Sequence, residues 1–301
     1  MWKYLPPDGR ANLAEDVLGC SSNVDIKQLA DSVVSGLLNP MQAFGGQTAQ
    51  PTPSPRFGLE DSIDNLECML GEPVTRNDQN VLRAQCLRRD GNMCIVSNFY
   101  NIALPDPSRP MSLHARLQAA HILPFSLGMF RNNDERCLTA SVWVNIYRYF
   151  PALRSRLNFE NHDTNSIQNM LILTEPLHRD FRMFNFALEG TNIPDQYRIK
   201  KFHRLDGVSN LTMPSSGVVT LTCHDPQYPL PDPILLSIHA AISNILNATG
   251  RGEVVDKIIQ DYNTTKVLAR DGSTDISQLL SISTLSLFPS KRRDATQKEE
   301  F

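Results

Sequence analysis

The sequence predicts an α+β fold in which helices flank a mixed centre. Three observations point there. Apolar residues recur at helical spacing near the start of the chain, as Ile26, Leu29, Val33 and Leu37 do in "VDIKQLADSVVSGLL" (24–38). The middle holds short apolar runs separated by turn residues, such as "NMCIVS" (92–97), "LQAAHI" (117–122) and "NMLIL" (169–173). "DPILLSIHAAISNILNATG" (232–250) then reads as one long helix, opened by Asp232 as N-cap and stopped by Gly250.

Taken in order, the helix at 24–38 runs into "NPMQAFGGQTAQPTPSPR" (39–56), whose four prolines and two glycines predict a flexible linker. Leu59, Ile63, Leu66 and Leu70 predict a second helix over 59–70. Residues 77–89 predict a third, closed by the "DG" at 90–91. "NMCIVS" and "LQAAHI" are expected to be strands and to pair as a hairpin across a polar, proline-containing loop of about twenty residues. "LTASVWVNIYRYF" (138–150) predicts an amphipathic helix whose Trp143, Ile146, Tyr147 and Phe150 face the core. "TEPLHRDF" has the start of a helix, with Thr174 as N-cap and Pro176 in the first turn. "MFNFALE" and "QYRIKKF" (196–202) are expected to pair as strands, with another strand at 217–225 and a helix at 252–262.

Bulk properties narrow the function classes. With 41% hydrophobic and 20% charged residues, the 301-residue chain suits one or two globular domains, and it has no apolar run long enough to span a membrane. "MWKYLPPDGR" has neither the basic start and apolar stretch of a secretory signal nor the look of a transit peptide, so an intracellular protein, nuclear or cytoplasmic, is expected. The six cysteines form no C-x2-C pair, which excludes a zinc knuckle built from two such pairs and suits reduced thiols. The net charge of −3 argues against coating nucleic acid by overall positive charge, but residues 76–204 hold 17 of the 29 Lys/Arg and only 11 of the 32 Asp/Glu. A polyanion is best tolerated there.

The chemistry-bearing pattern is an order of residues: His121 at a strand end, Asn169 before a short apolar step, His178 in the first turns of a helix. Each alone has a bland reading. His121 sits among apolar neighbours as a core histidine would, Asn169 can cap a turn, and His178 can be a surface histidine. Together with "RRDGNMCIVS", "QAAHILPFSL" and "NSIQNMLILTEPLHRDF", they resemble the HNH endonuclease domain, in the form found in filamentous fungi. The resemblance spans roughly residues 24–270, its specific motifs lying within 88–190.

That resemblance implies a ββα-metal (HNH) module embedded between helical N-terminal and C-terminal extensions. The implied organisation is an N-terminal helical segment at 1–38, the Pro/Gln/Ser-rich linker at 39–56 and an HNH nuclease-like domain at 57–205. A strand and helical extension follows at 206–288, then a charged tail at 289–301 that is expected to be disordered. The implied activity is divalent-metal-dependent hydrolysis of DNA phosphodiester bonds, with nucleic acid, DNA rather than RNA, as partner and no membrane. His121 takes the role of general base, Asn169 that of its orienting partner, and His178 that of ligand to one divalent ion, Mg2+ or Mn2+. Asp180 is a secondary candidate for the ion through water, and Arg179, Arg182 and Lys200 are candidates for phosphate contact.

One departure stands out: Ala120 occupies the position before the base where many such nucleases carry a metal ligand. It keeps open an inactive HNH scaffold that binds nucleic acid or protein, or a scaffold serving a non-nuclease reaction. Cleavage specificity and oligomeric state stay open.

Overall fold

The computed structural model describes residues 1–42, 51–75, 79–105, 108 and 110–250. The expected helix at 252–262 and the tail at 289–301 lie outside the described residues. Two N-terminal helices, α1 (Pro7–Leu18) and α2 (Asn23–Val33), come first, and Ser22 caps α2 by accepting from the Asp25 amide at 3.2 Å. The chain continues through a π-helical turn, Val34–Leu38, into α3 (Asn39–Gln42). Leu29, Val33 and Leu37 are buried as the spacing predicts, while Ile26 faces solvent.

The described parts of the expected linker are packed. Pro40, Met41 and Gln42 are buried. The Thr52 amide donates to Ser35 Oγ at 2.7 Å, Gln28 donates to the Pro53 carbonyl at 3.0 Å, and Arg56 approaches Asp16 at 3.9 Å. Composition predicts flexibility there because it counts side chains; partners held in place by α1 and α2 give this stretch a surface to lie on.

α4 (Leu59–Met69) buries Leu66 and the following Leu70. α5 (Gln79–Arg89) ends at Arg89. The expected strand at 92–97 is a compact turn instead. Gly91, Asn92 and Asn98 all have positive φ, a conformation that glycine and asparagine tolerate, and the chain folds back with Asn98 donating to the Cys94 carbonyl at 2.9 Å. Two-residue strands β1 (Tyr100–Asn101) and β2 (His114–Ala115) follow.

The expected hairpin partner of "LQAAHI" is therefore replaced. β3 (Leu117–His121) pairs antiparallel with β4 (Met170–Thr174), bringing His121 opposite Met170. Helices α6 (Asn133–Tyr149) and α7 (Ala152–Ser155) fill the interval between the two strands. Every residue of β4 is buried, which an apolar run in a covered strand requires. Its other side meets the turn after α5, where Ile95 donates to the Ile172 carbonyl at 3.0 Å and the Ile172 amide donates to Asp90 at 3.2 Å.

α8 (Glu175–Arg182) leaves β4 directly, and Thr174 occupies the N-cap position without a capping bond from its hydroxyl. β5 (Phe186–Gly190) and β6 (Gln196–Lys201) pair as expected; α9 (Gly207–Thr212) follows, then β7 (Val218–Thr220) on the free side of β6. α10 (Pro233–Thr249) is capped by Asp232, which accepts from the Ile234 amide at 2.7 Å, and ends at Gly250 in the left-handed region. Both ends are legible as caps.

α6 ties the layers together. Trp143, Ile146, Tyr149 and Phe150 are buried, and the Trp143 indole donates to the Leu127 carbonyl at 2.8 Å. On its other side Arg148 and the Tyr149 hydroxyl meet the buried Asp16 of α1 at 2.7 and 2.9 Å. None of the described helices is long and apolar enough to cross a membrane.

Candidate active site

β3, β4 and α8 form one strand-strand-helix unit, and its geometry sets His121 and His178 on the wall of one cavity of about 520 Å³. His121 is the last residue of β3. Immediately after it the chain is clamped by Asn169, whose side chain is fully buried. Asn169 Oδ1 accepts from the Leu123 amide at 2.8 Å, while Nδ2 donates to the carbonyls of Leu123 at 2.9 Å and Thr164 at 2.8 Å. The Ile122 amide also donates to the Asn169 carbonyl at 2.9 Å.

Asn169 thus holds the backbone next to His121; its bonds do not run to the imidazole. The amide facing the ring belongs to Asn165, which favours the charged form of His121. Both Asn165 Oδ1 and His121 Nε2 are buried and make no hydrogen bond of good geometry among the described residues. The approach of these segments relies on Gly128, because a Cβ there would strike Thr164 and the Asn161 carbonyl.

Removing Asn169 tests the clamp. Asn169→Ala strands the Leu123 and Thr164 groups in the interior, and a loss of about 3 kcal/mol in unfolding free energy is expected by urea denaturation. Asn169→Asp should fare no better, since a carboxylate cannot supply the two donated bonds.

His178 and Arg182 stand four residues apart on α8 and share the face turned to the cavity, whereas Leu177, Asp180 and Phe181 are buried. The same helical geometry removes two of the other sequence candidates. Asp180 points away from the cavity and accepts from Asn185 at 2.8 Å. Arg179 pairs with Asp206 at 3.0 Å at the surface. Lys200, on β6, pairs with Glu189 at 3.2 Å, also away from the cavity. Only Arg182 among the three cations forms part of the wall.

Arg83, Gln118 and His239 are among the residues of the wall that were not singled out from sequence. Arg83 of α5 reaches the start of β3 and donates to the Leu117 carbonyl at 2.8 Å. Gln118 lies on β3 itself. His239, from α10, is stacked on Phe181 at 3.8 Å and on Phe184 at 4.7 Å. Its Nε2 lies 3.0 Å from the Phe181 carbonyl, which can only accept, so that nitrogen carries the proton. The signal for Arg83 was its place one turn before the buried end of α5; His239, inside an apolar helix, carried no signal beyond a core histidine.

Burial controls the electrostatics. It lowers the pKa of His121 to about 4, Asn165 opposing and the nearby His178 adding to the effect. Burial, helped by Arg182 and opposed by Glu175, lowers His178 to about 4. Burial lowers His239 to about 3, with its bond to Phe181 opposing. All three rings are neutral at pH 7 in the folded chain. Because their unfolded pKa is near 6.5, the unfolded chain binds more protons between about pH 6.5 and 4, and stability falls as pH falls through that window. As far as these three rings govern it, stability should be flat above about pH 7 and decline in acid. Urea midpoints between pH 4 and 8 read this directly, and His239→Gln should flatten the acid limb.

A resident hard cation does not fit these donors. Among the described residues no three His, Cys, Asp or Glu side chains converge to hold a metal, and no carboxylate lines the cavity. Ala120 is buried and offers no ligand. Mg2+ and Mn2+ favour oxygen ligands, which the pair of imidazoles does not supply.

Residues 94–189 match the family model for HNH endonuclease, a stretch containing His121, Asn169 and His178. The match is to that family at large and does not single out the fungal group. No curated protein and no solved structure matches the chain.

Proposed function

We propose that this chain is an HNH-type endonuclease hydrolysing phosphodiester bonds of nucleic acid, DNA in the first instance, and that β3, β4 and α8 are its ββα core. The observation that carries the reading is the shared cavity: a neutral imidazole at a strand end, a second imidazole on the following helix, Arg83 and Arg182, with no carboxylate among the described residues of the wall. A neutral imidazole accepts the proton of an attacking water, and His121 is neutral at physiological pH. Arg83 and Arg182 favour an anionic phosphate and offset charge that grows on it. Asn169 and Asn165 are positioning residues for His121. HNH domains as a group depend on a divalent ion; since the donors here do not match one, the chain's own contribution is base, cations and positioning.

A second reading is favoured by that same mismatch: an HNH scaffold that binds nucleic acid without cutting it. Incubation of supercoiled plasmid with the purified chain under Mg2+, Mn2+ or EDTA separates the two. Nicking that His121→Ala removes is the expected result. Equal nicking by both proteins would refute His121 as base, and binding with no nicking under any condition would establish the second reading.

A further inference from the structure

The cavity holds more polar groups than hydrolysis of a phosphodiester uses. Gln42 is 6% exposed and Ser126 8% exposed, both line the cavity, and neither Gln42 Oε1 nor Ser126 Oγ has a hydrogen-bond partner among the described residues. Burying an unpartnered amide or hydroxyl is costly, so two on one wall point to a ligand that completes them. Gln42 lies on α3, well outside the segment that matches the family, and Ser126 follows the strand that ends in His121. Gln79, Asn80 and Gln118 add further uncharged hydrogen-bonding side chains to the wall, and Met41, Phe125 and Phe184 add apolar surface.

We propose that this wall is a base-binding subsite, at which Gln42 and Ser126 hydrogen-bond the edge of a single unpaired nucleobase while its phosphate lies toward Arg83 of α5 and Arg182 of α8. The proposal rests on the reading of this cavity as the seat of a nucleic-acid phosphate. Its chemistry is that of a nucleotide: cations for the phosphate, uncharged donors and acceptors for a base edge, and apolar faces beside them. The volume of about 520 Å³ lies within the range of small-ligand sites, roughly 300–1,000 Å³. A base paired within a duplex cannot enter such a cavity, so the preferred substrate is a single strand or an extruded nucleotide.

Deoxynucleoside 5′-monophosphates and 2-deoxyribose 5-phosphate, titrated without metal by calorimetry, test this. The nucleotides are expected to bind about tenfold more tightly than the sugar phosphate. Gln42→Leu should erase that difference without weakening the sugar phosphate, and it should raise the melting temperature by about 2 °C, because a side chain whose buried Oε1 has no partner among the described residues is replaced by a carbon skeleton of similar size. Ser126→Ala, a smaller change, should reduce the preference in the same direction. Equal affinity for nucleotide and sugar phosphate, equal weakening of both by Gln42→Leu, or binding of no probe would overturn the subsite. Failure to cleave plasmid while nucleotides bind selectively would remove the nuclease reading and leave the subsite standing.

Discussion

His121→Ala is expected to lower phosphodiester cleavage by about 10²- to 10⁴-fold, the range associated with losing a positioned general base. The fold should survive the change, because the clamp on the adjacent backbone is made by Asn169 to Leu123 and Thr164 and not by the imidazole. The pH profile carries an independent sign. A base works deprotonated, and burial lowers the His121 pKa to about 4. The wild-type rate should therefore rise as pH increases through about 4 and lie flat from about 6 upward, as far as His121 governs it. A profile with its midpoint near 6.5 would mean a solvated ring and would count against the buried site. Supercoiled plasmid scored for nicked product over pH 4–8, with circular dichroism on both proteins, measures rate and fold together.

Replacing Arg89 should have the largest effect on stability. Arg89 is fully buried and holds Asp90 through two bonds, Nε to Oδ1 at 2.6 Å and Nη2 to Oδ2 at 2.9 Å. It also donates to the carbonyls of Met170 and Ile167, each at 2.8 Å, so it fastens the end of α5 to the start of β4. Arg89→Met leaves a carboxylate in the interior without its cation, and such a break costs about 3–5 kcal/mol. The loss should shrink in acid. Burial raises the Asp90 pKa even with Arg89 beside it, so lowering the pH protonates the carboxyl in the folded chain before the unfolded one and removes the stranded charge. Arg89→Met combined with Asp90→Leu should recover much of the stability, because the desolvation cost disappears with both charges. Urea unfolding of the single and double variants at pH 5 and 7 gives the comparison.

These two changes act on the same strand pair, and they differ in how far sequence could reach them. Sequence reached His121 and His178 through the resemblance to the HNH domain, which orders an imidazole before a proline-containing turn and another in a helix's first turns; the structure sets both on one cavity. Asn169 was legible as important, yet its task was not, since hydrogen-bond direction depends on which backbone groups lie opposite. Among the cations, Arg179 and Arg182 look alike in "HRDFR"; the turn of α8 carries Arg182 to the side of His178 and leaves Arg179 to Asp206. Gln42, Arg83 and His239 had no motif at all, because they reach the cavity from α3, α5 and α10.

Local sequence determined where the chain caps, turns and hides its apolar faces: Ser22, Asp232 and Gly250 bound helices because side-chain oxygens and a left-handed glycine act within a few residues. It also determined the order of histidine, asparagine and histidine. Strand pairing was decided only in three dimensions. "NMCIVS" and "NMLIL" are both short and apolar, and period-two patterning says which face of a strand is buried but not which strand lies beside it. With asparagines at 92 and 98 in left-handed conformations the first becomes a turn, so β3 takes β4 as its partner and places His121 and His178 around one space.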